Sequence, residues 1–271
     1  MKTILIAGGP ETTNETVLAN ADFIARTQNS KICYLDPSKR TNLAAKYCDI
    51  APTKGNPFCS MEEFQKCEAE VLLNGKQVKA ESPCRHKCSY LDNLDINFVE
   101  QERPHLVVIH RKDSATMPYG SCTILNQTQT PVLITPGDSA ITRLKNIAYV
   151  TDLRYCDIGV LSKIIAFAKP FAANIYIFHV TAEGLPDIDN LYSESLFKSE
   201  ILPHTKYKSI DLINIKGEDI LTEISLAADI LEPDLMVMVN KKHRCIDRLY
   251  ESIDFGNTSY GNIPLLIYPM P

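Results

Sequence analysis

The sequence predicts an α/β fold of two doubly wound, mostly parallel five-stranded sheets, and three observations predict it. Short apolar runs recur along the chain at nearly fixed offsets. Helical periodicity fills the intervals between them. The runs are continuously apolar rather than alternating, which belongs to parallel strands covered on both faces. The repeat divides the chain near residues 1–140 and 141–271, two units of ordinary domain size.

The elements follow in order. "KTILIA" (2–7) corresponds to "KNIAYV" (145–150), and "KICYL" (31–35) to "NIYIF" (174–178), both at an offset of 143 residues. "RPHLVVIH" (103–110) corresponds to "EPDLMVMV" (232–239) at an offset of 129, and "TPVLITP" (130–136) to "IPLLIYP" (263–269) at 133. The first half thus carries 14 extra residues between its second and fourth strands, within an insert near 40–90. Helical spacing relates Val17, Leu18, Ala21, Ile24 and Ala25, and again Ile158, Leu161, Ile164, Ile165 and Ala168. A third helix places Ile220, Leu221, Ile224, Ala228 and Leu231 on one face, and Pro233 ends it. "GDSAITR" (137–143) is the expected joint between the units.

Composition excludes several classes of function. A net charge of −5 without long runs of like charge gives no electrostatic footprint for a nucleic-acid groove. No stretch approaches the roughly 18 apolar residues of a membrane span. "MKTILIAGGPETTNE" meets polar residues too early for an export signal and reads as a first strand, so a cytoplasmic protein is expected. Six of the nine cysteines lie between Cys33 and Cys88, and the odd total argues against a disulfide scaffold.

Candidate chemistry gathers where strands end. Asn240, Lys241, Lys242 and His243 follow the strand "DLMVMV". Their side chains either face a phosphate in place of backbone N–H donors or form a solvated polar loop. Asp152 follows the strand "NIAYVT" and either meets a base or ribose edge or caps the next helix. Gly8 and Gly9 lack the third glycine of a dinucleotide fingerprint and suit a tight turn before a helix cap. No nucleophile elbow, metalloprotease helix or phosphate-loop motif is present, and His110, His179, His204 and His243 read as polar loop or strand-end residues. Within the insert, Cys59, Cys67, Cys84 and Cys88 form an alternative zinc set, although C-x7-C and C-x3-C are not the spacings of common zinc modules.

The ordered set of strand ends resembles the universal stress protein family in tandem arrangement. The second half carries it: "NIAYVTD" with Asp152, "IYIFHV" with Val180, "INIKGEDI" with Gly217, then "PDLMVMV" and the closing "IPLLIYP". The resemblance implies the adenine nucleotide alpha hydrolase-like fold, with the two halves arranged as an intramolecular pseudo-dimer. The closing strands "PVLIT" (131–135) and "PLLIY" (264–268) would meet at its pseudo-twofold interface.

ATP-binding members carry G-x2-G-x9-G-[S/T] after the fourth strand, whose glycines let backbone N–H groups approach phosphate oxygens. This chain departs from that pattern in both halves. "VNKKHRCIDRLYES" has none of the three glycines and offers only Ser252 at the hydroxyl position; the first half keeps Gly120 and Ser121 alone. The resemblance implies a cytosolic sensor or binding protein of the stress response rather than an enzyme, binding ATP or another adenine nucleotide weakly or in altered fashion. The alternatives are a ligand-free scaffold acting through an unidentified protein partner, a slow nucleotide hydrolase, and a zinc- or redox-responsive module using residues 48–88. Association of two chains into a homodimer is left open.

Overall fold

The computed structural model describes residues 2–7, 15–36, 46–50, 84–90, 99, 102–111, 124–125, 128–136, 140–151, 153, 158–181, 189–217, 220–240 and 262–269. In chain order the first half supplies β1 (Lys2–Ala7), α1 (Glu15–Gln28), β2 (Ser30–Asp36), β3 (Lys46–Ile50), β4 (Cys84–Tyr90), β5 (Leu106–Arg111) and β6 (Val132–Pro136). The second supplies β7 (Asn146–Thr151), α2 (Ile158–Ala168), β8 (Asn174–Thr181), α3 (Asn190–Leu196), β9 (Ile210–Lys216), α4 (Ile220–Leu231), β10 (Leu235–Asn240) and β11 (Leu265–Pro269).

These strands form one eleven-stranded sheet, ordered β3-β4-β2-β1-β5-β6-β11-β10-β7-β8-β9. Outward from the β6–β11 junction the order is the same on both sides: last strand, fourth, first, second, then an outer strand. The expectation of two separate five-stranded sheets is corrected here. The closing strands pair antiparallel, with Leu133 opposite Leu266, so each half's open edge is satisfied by the other. The first half also exceeds five strands, because antiparallel β3 extends the sheet beyond β4. "KYCDI" and "CRHKCSY" lack the continuous apolar run that marks the inner strands, and so the sequence does not announce them.

The backbone repeats where the sequence does. Asn29 and Ala172, 143 residues apart, both adopt left-handed φ, 52° and 51°. Arg103 and Glu232, 129 apart, do so at 44° and 41°, each immediately before a proline. The hydrogen bond from His105 N to Thr3 O recurs as Asp234 N to Asn146 O. Val107 N to Pro131 O recurs as Met236 N to Pro264 O. The left-handed residues close helix ends, as where Glu232 N reaches Ala228 O.

Strand side chains alternate between two cores, each crossing the junction. Ile4, Ile6, Val108, Leu133, Leu266, Val237, Ile147 and Ile175 lie on one face, packed under α1 and α2 through Val17, Ala21, Ile24, Leu161, Ile164 and Ala168. Leu5, Val107, Ile134, Leu265, Met236 and Phe178 lie on the other, under Ile224 and Ala228 of α4. Where their side chains are described, the expected helical faces are thus the buried ones, apart from Leu18, Ile158, Ile165 and Leu231, which are partly buried. α3, the π-helical turn after it (Phe197–Ile201) and the 3-10 turn Leu202–His204 are helical structure that the periodicity does not announce.

The described part of the joint, from residue 140 onward, is packed. Ile141 and Leu144 are buried in the first core, and the Ile141 N–H donates to Oδ1 of fully buried Asn20 in α1. Nearby, Phe23 of α1 stacks on Phe171 after α2, which also meets Phe167, both with ring centroids 5.6 Å apart.

Candidate functional site

From β7 the chain winds outward through β8 and β9, then returns to place β10 on the opposite side of β7. Such a reversal leaves no crossover helix across the strand carboxyl ends, and open α/β sheets hold ligands in the crevice there. β1 and β5 form the same reversal in the first half.

The two reversals differ in geometry. Pairing between β7 and β10 runs from Ile147–Leu235 to Tyr149–Val237, whereas the strands themselves continue to Thr151 and Asn240. They therefore part before their carboxyl ends. Each stays attached to its other neighbour, Thr151 to His179 and Asn240 to Pro269. In the first half, β1 pairs with β5 up to its last residue, Ala7 with Ile109. Among the described residues, the strands part at the β7–β10 reversal.

Polar side chains recur at the carboxyl ends of these strands and of their neighbours. Thr151 is buried at the end of β7 and Asn240 is half-buried at the end of β10. His179, near the end of β8, is almost fully buried, and its Nδ1 accepts the Leu153 backbone N–H at 3.4 Å. In the next strand Asn214 lies opposite His179 and accepts the hydroxyl of fully buried Ser193 at 2.7 Å. In the first half, His110 and Arg111 end β5 half-buried, and the Thr135 hydroxyl donates to Ile109 O at 3.4 Å.

Of the residues singled out from sequence, the structure places Asn240 at the opening and the Val180 backbone in β8 beside His179, opposite Ile215. Asp152 falls between Thr151 and Leu153 in sequence. It lies outside the described residues, as do Lys241, Lys242, His243, Ser252, Gly8, Gly9, Gly120, Ser121, Cys59 and Cys67. Cys84 and Cys88 both belong to β4. Four residues of extended strand separate their Cα atoms by about 13 Å. Among the described residues no group of three or more His, Cys, Asp or Glu could hold a metal. No helix among them is long and apolar enough to cross a membrane.

Sequence reading placed His179 at a strand end but did not find its contact with Leu153, nor the Ser193–Asn214 pair. The available signal was polarity inside an apolar run: one histidine in "NIYIFHVT" and one asparagine in "IDLINIK".

No protein-family model matches the chain, and no curated protein matches it in sequence. Solved structures do match in fold. A protein of Pseudomonas aeruginosa UCBPP-PA14 assigned to the universal stress proteins superposes with a TM-score of 0.63 at 14% identity, over 99% of this chain and 93% of that one. A functionally unknown protein from Pseudomonas aeruginosa PAO1 gives 0.62 at 15% identity, over 99% and 92%. A universal stress protein from Archaeoglobus fulgidus DSM 4304 gives 0.57 at 12% identity, over 98% and 95%. The class defined at this level is a fold: an α/β architecture with a mostly parallel mixed sheet, shared with universal stress proteins over nearly the whole chain.

Proposed function

We propose that this chain is a tandem universal-stress-like protein of the cytoplasm, a binding or sensing module rather than an enzyme with turnover. Its units are residues 1–140, with the cysteine-rich insert near 40–90, and residues 141–271. They form an intramolecular pseudo-dimer through β6 and β11. The ligand is an adenine nucleotide, held in the opening between the carboxyl ends of β7 and β10. Asp152 and Val180 line its adenine side, and Asn240, Lys241, Lys242, His243 and Ser252 its phosphate side. Gly120 and Ser121 are the first half's remaining phosphate contact.

The observation that carries this reading is the parting of β7 and β10 beyond Tyr149 and Val237, at a reversal of strand order. Lysines in place of glycines substitute mobile point charges for fixed backbone donors, which predicts modest and salt-sensitive affinity. Titration calorimetry with ATP, ADP and AMP tests it. One site is expected, weakened about tenfold or more in Asp152→Ala, which corresponds to roughly 1.4 kcal/mol. Absence of heat at millimolar nucleotide overturns it.

A second reading, a scaffold acting through protein contacts, has one observation in its favour. Leu191, Tyr192, Leu226 and Ile230 are 75%, 58%, 51% and 80% exposed on α3 and α4, unusually open for large apolar side chains.

A further inference from the structure

We infer that the outer edge of β9 is a docking surface for a second copy of this chain, which pairs with it antiparallel about a twofold axis at Leu212. The surface lies two strands out from β7, and the inference stands whether or not a nucleotide binds.

The two ends of the sheet differ. β4 and β9 hold equivalent places, each parallel to the second strand of its half. Beyond β4 the first half adds β3, which runs antiparallel and closes that end. Beyond β9 no strand follows among the described residues. Where the first half builds β3, between its second and outer parallel strands, the second half builds α3 and its turns. An open edge presents a row of backbone donors and acceptors, a template for another strand.

The ladder decides which groups face outward. Ile175 N donates to Ser209 O, and Ile175 is the register partner of Ile210. The alternation of a parallel pair then turns the backbone of Ser209, Asp211, Ile213 and Ile215 toward β8, and that of Ile210, Leu212 and Asn214 away from it. No hydrogen bond occupies these outward N–H and C=O groups among the described residues. Natural edges that stay single carry charge or proline, and these three residues carry neither.

One antiparallel register uses all three. With Leu212 opposite the partner's Leu212, Ile210 falls opposite the partner's Asn214, and Asn214 opposite the partner's Ile210. Every outward group of the three then meets its complement. Ile210 is buried in the first core and Leu212 packs on it, so the pairing carries that core across the axis. Leu133 and Leu266 do the same at the β6–β11 junction, where antiparallel edges already join two like units. The surroundings are apolar as well. Among the described residues, the exposed large apolar side chains all lie on α3, the turn after it and α4, which flank β9 in the chain. Against the pairing, the register sets exposed Lys208 opposite the partner's Lys216 at each end. That like-charge contact keeps the association reversible and makes added salt tighten it.

Sedimentation equilibrium of the full chain from roughly 1 to 100 µM tests this, with a reversible monomer–dimer equilibrium expected. Leu212→Pro deletes only an outward N–H and leaves the β8–β9 ladder intact. Leu212→Lys places like charges on the axis. Each should weaken the dimer about tenfold or more at unchanged monomer melting, whereas Leu226→Lys on α4 should not. Hydrogen exchange of wild type should slow with rising concentration at the amides of Ile210, Leu212 and Asn214, and stay constant at Asp211 and Ile213. If the proline variant fails to fold, the lysine variant decides. A monomer at every concentration overturns the inference. So does a dimer undiminished in Leu212→Lys, or one lost in Leu226→Lys alone, which places the contact on α4. Assemblies that grow without limit mean that β9 meets the β3 edge of the next copy, and they overturn the twofold pairing.

Discussion

His105 and Asp234 stand at the same place in the two halves, 129 residues apart, and do the same task with opposite polarity. Each precedes the fourth strand of its half and ties it to the start of the first. His105 Nδ1–H donates to Thr3 O at 2.6 Å. Asp234 instead accepts, from Lys145 N at 2.7 Å and Asn146 N at 3.0 Å, and pairs with Arg143. With Nδ1 donating, the other nitrogen of a neutral His105 is an acceptor. That suits the Ser30 hydroxyl at 3.5 Å, and it suits the NH2 side of the Gln28 amide better than its oxygen.

Stability should fall on the acid side because of His105. Burial pushes its imidazole down from 6.5 to about 4, with the Thr3 hydrogen bond opposing and Lys2 adding to the effect. Between these values the unfolded chain binds a proton that the folded chain does not. The contribution is therefore complete above pH 6.5 and is lost as pH falls toward 4, by up to roughly 3 kcal/mol. Urea unfolding of wild type and His105→Asn from pH 7.5 to 4 should show the wild-type midpoint dropping more steeply. Parallel curves contradict the assignment.

Asp234 should matter as a hydrogen-bond acceptor more than as a charge. Its side chain is 11% exposed, but that of Arg143 is 60% exposed. Asp234→Ala leaves two backbone N–H groups without their acceptor and should cost about 2–3 kcal/mol, whereas Arg143→Ala should cost under about 1 kcal/mol. Equal losses in the two variants would mean that the ion pair dominates.

The junction should be indispensable. Leu133 and Leu266 are register partners, both fully buried in the core shared by the halves. Leu266→Asp places an unpaired carboxylate there and should destabilise the whole chain by more than about 3 kcal/mol, in one transition. Native melting and compactness in Leu133→Asp and Leu266→Asp would refute the shared sheet.

Ala172 offers a substitution in the stabilising direction. At φ 51° an exposed alanine sits in a conformation that glycine adopts without a Cβ clash. Ala172→Gly should raise stability by about 0.5–1 kcal/mol even though it lengthens the list of unfolded conformers. Its equivalent, Asn29, tolerates that conformation better, so Asn29→Gly should gain less.

Much of the fold was legible because apolar periodicity and repeat offset report burial directly. Ile4, Val107, Val237 and Leu266 are fully buried, inside the runs that aligned the halves. The union of the sheets was legible only as a meeting of "PVLIT" and "PLLIY", since pairing between two edges leaves no mark on side-chain pattern. β3 and β4 were hidden by their polar composition, and α3 by its exposed Leu191 and Tyr192. At the site, strand ends were readable, as Asn240 shows. The hold of His179 on Leu153 was not, because it joins residues 26 apart through a fold that no local motif encodes.

The most direct test of the central claim is hydrogen-exchange mapping of the whole chain with and without saturating ATP. The account predicts protection concentrated at the carboxyl ends of β7 and β10, in peptides covering 150–153 and 239–243, with little change at residues 7–9 and 110–111. Protection confined to the first half, or none anywhere, would contradict it.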